Sequence, residues 1–219
     1  MTQTQKKERS KAYNDSLDIA ALTREETLDP QELNLLKYSK MDSVDQGIPT
    51  GDLGNQRGGF HFELFGLNWY STEHLYLCGE WSTDREQSKE IQEYIRKFPS
   101  GTYAKRCSKS KYGKLERADF RDFCHQWMLW CVWQKCRLNE KFATFLKSIP
   151  DDAVIVEAVK NDPRWAAEPD ANGVCHGCNA MGKILTICRR HLIAGTEPPI
   201  DTKQLNDAKI YILGKRIQF

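Results

Sequence analysis

Apolar positions change their period along the chain, and each change marks an element. Phe60, Phe62 and Leu64 alternate with His61, Glu63 and Phe65, the two-residue period of a strand, and Gly66-Leu67-Asn68 follows as a turn. Past Trp69 and Tyr70, the hydroxyl pair Ser71-Thr72 runs into Glu73 and a helix. Either hydroxyl can cap the first amides, and a carboxylate in the first turn complements the dipole. A second helix is predicted from Ser82 or Thr83, with Ile91, Tyr94, Ile95 and Phe98 at spacings of three and four, stopping at Pro99. Residues 115–138 are apolar and aromatic on every face, which predicts a long central helix, and residues 140–148 a short one after it. The β-branched run at 153–159 reads as a strand buried on both faces, residues 179–193 as the last full helix, and 209–213 as an edge strand.

The first fifty residues read differently. Residues 1–27 are rich in Lys, Glu, Gln, Thr and Ser, a composition that cannot offset its ordering entropy unaided, so a tail with a short helix at 17–22 is expected. Asp29-Pro30, with Leu33, Leu35 and Leu36 behind it, predicts a small helix over 30–39, and the glycine-rich segment 47–59 a loop. Few strands among four or five helices make a single mainly helical α+β domain at 51–195, with extensions at 1–50 and 196–219.

Composition changes this picture little. The 219 residues suffice for one ordinary core, and a formal charge of +2 gives no global reason to bind a polyanion or a membrane surface. No apolar run approaches a membrane span and no secretory leader pattern opens the chain, so a soluble, cytoplasmic protein is expected. Cys124, Cys131 and Cys136 share one helical stretch with Trp127, Trp130 and Trp133, which suits buried thiols rather than disulfides.

Three clusters carry candidate chemistry. Lys105, Arg106, Lys109, Lys111 and Lys114 alternate with Tyr103 and Tyr112, which fits either a phosphate site or a solvated loop. Cys175-His176-Gly177-Cys178 has zinc-knuckle spacing, but no second pair stands at a suitable distance to close a tetrahedron, and Cys188 alone lies near. Cys124 and His125 are sequence neighbours on a helix, so their side chains diverge and make a poor nucleophilic pair. Neither a metal nor a cofactor is expected.

The motifs Leu53-Gly54-Asn55, Ser71-Thr72-Glu73-His74, Arg117-Ala118-Asp119-Phe120, Val154-Ile155-Val156-Glu157, Asn161-Asp162 with Trp165, and Gly177-Cys178-Asn179-Ala180-Met181-Gly182 occur in this order. Met128 and Lys135 follow Asp119, and Arg189 follows Gly182, at matching spacings. Over residues 53–193 the chain resembles the NADAR superfamily, also called YbiA-like. Members look like N-glycosidases acting on ribosylated amines, some on early riboflavin-pathway intermediates and others on ADP-ribosylated guanine.

The resemblance implies that Glu73 is the helix carboxylate of the site, Asp162 an acid after the buried strand, and Trp165 the aromatic wall. It implies that Asn55, Arg117 and Asn179 surround the ribose or phosphate. The residue types suit the chemistry. Breaking a ribose C1–N bond passes through an oxocarbenium-like state that a nearby carboxylate stabilises, while a second carboxylate orients water. Read without the resemblance, Glu73 only complements a dipole, Asp162 only opens a turn at Pro163, and Trp165 is core.

The departures fall around the ligand. Glu80 stands seven residues after Glu73, where the family usually has a lysine suspected of forming an imine with the opened sugar, a step that needs a primary amine. Three alternatives follow: water activated by Glu73, Glu80 or Asp162; an amine from another lysine such as Lys105; or a catalytically silent module that binds ADP-ribose or a nucleotide. Phe120 replaces a common indole, Ala166-Ala167 replaces glycines after Trp165, and the basic stretch with Lys105 and Arg106 replaces a short Gly-Arg segment. The implied ligand is a small ribosyl phosphate or ADP-ribose, with ADP-ribosylated nucleic acid a further candidate partner. The 1–50 extension could instead dock the domain onto a larger assembly.

Overall fold

The computed structural model describes residues 1–219. In chain order the elements are α1 (Gln3–Asp15), β1 (Glu26–Leu28), β2 (Leu35–Tyr38), β3 (Phe62–Leu64), β4 (Leu67–Trp69), α2 (Thr72–Glu80), α3 (Glu86–Arg96), α4 (Gly101–Tyr112), α5 (Phe120–Leu138) and α6 (Glu140–Ser148). They continue with β5 (Val154–Glu157), β6 (Glu168–Pro169), β7 (Cys175–Gly177), α7 (Ala180–Ala194), α8 (Thr202–Asp207), β8 (Tyr211–Ile212) and β9 (Lys215–Arg216). The chain is α+β and mainly helical, as its periodicity predicts, and no helix is long and apolar enough to cross a membrane. It forms two compact units, Met1–Gly54 with Ala143–Pro198, and Asn55–Phe142 with Pro199–Phe219.

In the first unit β2 and β5 pair in parallel from Leu35 opposite Val154 to Tyr38 opposite Glu157. β7 lies between β1 and β6, antiparallel to both. Val154 and Val156 pack with Leu28, Leu33, Leu35, Ala167 and Cys175. Ile155, pointing the other way, is also buried, as the β-branched run predicts. Helix α7 crosses β5 so closely that a Cβ at Gly182 would strike the Ile155 carbonyl, so only glycine fits there.

Two expectations for this unit need correction. The helix expected over 30–39 is a turn followed by strand β2. Asp29 holds the turn through its side chain, which accepts from the Gln31 amide at 2.7 Å. Leu33, Leu35 and Leu36 suit either periodicity over so short a run, and pairing with β5 decides between them. The tail expected over 1–27 is ordered structure. Thr2 and Gln5 close a reciprocal capping box on α1. Buried Asn14 donates to the Asp151 and Ala153 carbonyls at 2.9 Å each, and Ser10 accepts from the Asn34 amide. A polar composition does not reveal this, because the residues that anchor the segment are themselves polar.

The second unit is built on α2, all nine of whose residues are buried. The Trp127 indole on α5 donates to the Tyr76 carbonyl at 3.0 Å, and a Cβ on Gly79 would collide with that ring, so α2 and α5 touch backbone to ring. The long helix starts at Phe120, five residues later than predicted, because 113–115 form a separate 3-10 turn. The basic stretch is not a loop but helix α4, and α3 begins only at Glu86. The expected edge strand is one arm of a hairpin, β8 on β9.

Candidate active site in the second unit

Asn55 and Glu73 form the centre of the site. The Asn55 carbonyl accepts from the Glu73 amide at 3.0 Å, and the Asn55 side-chain amide donates to Glu73 Oε2. Asn55 therefore does the capping that Ser71 or Thr72 is predicted to do. Ser71 occupies the cap position without a side-chain bond to the first amides of the helix, and Thr72 Oγ1 is buried with no hydrogen-bond partner. Ser71 instead bonds His74 Nδ1 at 2.8 Å, while His74 Nε2 lies 2.9 Å from the Phe98 carbonyl. A carbonyl can only accept, so Nε2 carries the proton and Nδ1 accepts from the Ser71 hydroxyl. Burial lowers the His74 pKa, which keeps the ring neutral.

Glu73 and Glu80 stand seven residues, about two turns, apart on α2, and both are almost fully buried, at 1% and 4% exposure. Helix α4 sets a lysine beside each. Lys105 Nζ lies 3.9 Å from Glu73 Oε1, and Lys109 Nζ lies 2.8 Å from Glu80 Oε2. Lys105 and Lys109 are one turn apart, so two acids on one helix meet two amines on the next. Lys109 also contacts Glu116 at 2.8 Å and lies over the Trp81 ring at 5.5 Å. Burial pushes the Glu80 carboxyl up to about 7 despite the pull of Lys109. Burial works against the Lys109 ammonium, yet Glu80 and Glu116 raise its pKa.

Gly101, which opens α4, lets the lysines approach. A Cβ there would lie 2.9 Å from Ser71 Oγ and 3.0 Å from both the Gln56 Cα and the Glu73 Cβ. Sequence reading missed Gly101 and the partnership of Lys109 with Glu80. The signal was the spacing of four between Lys105 and Lys109, which carries meaning only once the segment is a helix.

The other predicted residues have contacts within their own units. The Arg117 guanidinium forks onto Asp119 at 2.7 and 2.8 Å and donates to the Ser82 and Ala208 carbonyls, while its backbone amide bonds the Glu80 carbonyl. These contacts make it a staple within the second unit. Phe120 packs on Tyr76 and Phe123 as core, and exposed Arg106 lies over Tyr103. Asp162, Trp165 and Asn179 belong to the first unit. Asp162 and Trp165 are half-buried. Asn179 is buried in a left-handed conformation, and its side chain accepts from the Glu157 amide and donates to the Ile155 carbonyl, locking α7 onto β5. All eight cysteines are thiols. Of the knuckle residues, Cys175 bonds the Gly173 carbonyl, Cys178 the Thr23 carbonyl, and His176 contacts Thr27 and Asp170.

A search of solved structures finds the NMR structure of the Escherichia coli protein YbiA. It superposes with a TM-score of 0.57 at 20% sequence identity, covering 74% of this chain and 86% of that one. The chain has a YbiA-like fold. No protein-family model and no curated protein matches the sequence. At this identity the likeness to YbiA concerns the fold. Within the YbiA-like fold, the buried pair Glu73 and Glu80 and the lysines of α4 are features read from this chain's own geometry.

The cluster has the parts for proton and cation chemistry. Asn55 fixes one Glu73 oxygen, leaving the direction of the carboxylate determined by its neighbours. A carboxyl that titrates near 7 can give or take a proton at neutral pH, and Lys109 supplies the compensating charge.

Proposed function

We propose that this protein is an N-glycosidase that hydrolyses a ribose C1–N bond in a ribosylamine phosphate or an ADP-ribosylated guanine. The observation that carries the reading is Glu73, buried in the first turn of α2 and held by Asn55 through both backbone and side chain. In this reading the Glu73 carboxylate stabilises the oxocarbenium-like transition state, and Glu80 passes a proton to or from water or the departing nitrogen. Lys105 and Lys109, both partly exposed, supply the positive charge a phosphate needs, and Lys105 is the candidate to present an amine to the sugar. Asp162 and Trp165 are assigned the supporting acid and the aromatic wall on the strength of the resemblance alone.

A second reading is favoured by one observation, the carboxylate of Glu80 where an amine is common in the family. It makes the protein a silent ADP-ribose-binding module. Turnover separates the two. Purified protein is incubated with ADP-ribosylated guanosine and with a ribosylaminopyrimidine phosphate, and the released base is followed by chromatography. The glycosidase reading expects turnover of one substrate, reduced about 10²–10⁴-fold in Glu73→Gln. No release from either, with ADP-ribose binding intact by calorimetry, sinks it in favour of the module.

A further inference from the structure

Two hairpins of the second unit share an unusual turn. Phe65-Gly66 joins β3 to β4 and Leu213-Gly214 joins β8 to β9, with φ of 59° and 70° in the first and 47° and 80° in the second. Two-residue connections with positive φ at both positions are type I′ turns, in which the first residue is ordinarily Asn, Asp or Gly. A bulky apolar side chain in a left-handed conformation is strained, and such strain persists where the surroundings over-determine it.

Both turns are pinned. The Leu213 amide donates to the side chain of buried Gln92 at 2.6 Å, and the same side chain donates to the Cys78 and Tyr211 carbonyls. Ser82 Oγ bonds both the amide and the carbonyl of Tyr211. On the other hairpin the Trp69 indole donates to the Leu64 carbonyl at 3.2 Å. Phe65, 48% exposed, lies nearly parallel to the Trp130 ring at 6.2 Å.

The two tips line one groove of about 370 Å³, floored by Ile212 and Ile217. Its lining holds exposed Lys215 and Arg216 and no carboxylate. The volume admits one large side chain, and the groove is open to solvent, unlike an enclosed small-molecule pocket with convergent polar groups. Because Phe65 lies flat on Trp130, it forms a wall rather than a probe that would enter a bilayer. We propose that this groove docks an acidic peptide segment of a partner protein, seating one large apolar side chain between the hairpin tips while flanking carboxylates meet Lys215 and Arg216.

The test uses the full chain and dye-labelled eight-residue peptides carrying a central Phe flanked by Asp and Glu, measured by fluorescence polarisation. Peptides with Lys flanks or a central Ala serve as controls. The acidic Phe peptides should bind at least about tenfold more tightly than either control, and less tightly as salt rises. Phe65→Asn and Leu213→Asn place a residue the turn prefers, so the melting temperature should hold or rise while binding falls about tenfold or more. Lys215→Glu with Arg216→Glu should abolish the acidic preference. Acidic peptides that bind no better than the controls overturn the proposal, as do Asn variants that bind like wild type. Self-association of wild type that the Asn variants lose would instead make the face a contact between copies. Preferential binding to phosphatidylserine vesicles would make it a membrane surface.

Discussion

Each unit buries an ionic cluster, and the two are built to opposite ends. In the first, Lys183 is fully buried and its ammonium donates to the Ala21 carbonyl at 2.8 Å, the Arg24 carbonyl at 3.0 Å and the Glu26 carboxylate at 3.2 Å. Three donors meet three acceptors, and Tyr13 and Arg24 complete Glu26. In the second, Glu80 is almost as buried, but its cation is divided. Lys109 also serves Glu116, and its side chain is 36% exposed. A buried charge whose partners are all fixed stabilises one conformation, whereas one whose partner is shared and reaches water keeps its proton exchangeable.

Removing the fixed ion sharpens the contrast most. Lys183→Met removes one donor each from the Ala21 carbonyl, the Arg24 carbonyl and Glu26 in a buried setting, so unfolding by urea should show a loss of about 2–4 kcal/mol. A loss below about 1 kcal/mol would break the comparison, because Lys183 would then be as dispensable as a surface cation.

The shared ion should reveal itself through pH. The Glu80 pKa of about 7 in the folded protein lies above its ordinary 4.5, because burial disfavours the charge. The folded state thus holds this proton more tightly than the unfolded chain. Its contribution to stability is present below about 4.5, is lost as pH rises through 7, and amounts to about 3 kcal/mol at most. Denaturant unfolding from pH 4.5 to 8 should show that decline in wild type and a flatter profile in Glu80→Gln. Parallel profiles would mean that Glu80 is held like Lys183.

Gly101→Ala should have the smallest effect and the most local one. The added methyl presses on Ser71, Gln56 and Glu73 where α4 meets α2. A cost of about 1–2 kcal/mol and a several-fold fall in turnover of a ribosylated substrate are expected. Unchanged turnover would show that the geometry of Glu73 tolerates movement of its neighbours.

Much of this was legible in the chain. The α2 start, the buried run of β5 and the apolar wrap of α5 follow from local chemistry, because each pattern is long or strongly punctuated. The order of motifs around Glu73 pointed to the fold. Local chemistry does not reveal the cap, because an Asn eighteen residues earlier replaces the local hydroxyls, and no local rule anticipates a partner at that distance. Composition does not reveal the order of the N-terminal segment, because Ser10, Asn14 and Lys183 act through hydrogen bonds of buried side chains, which composition counts as polarity.

The sequence by itself therefore determined the class of the fold, most of its helices and the carboxylate at the head of α2, since hydrophobic periodicity acts within a few residues. Tertiary structure alone decided that β2 is a strand, that α4 sets Lys105 and Lys109 beside Glu73 and Glu80, and that Phe65 and Leu213 share one groove. Each of these depends on groups distant in sequence and close in space, and the balance between desolvation and pairing is set only after they meet.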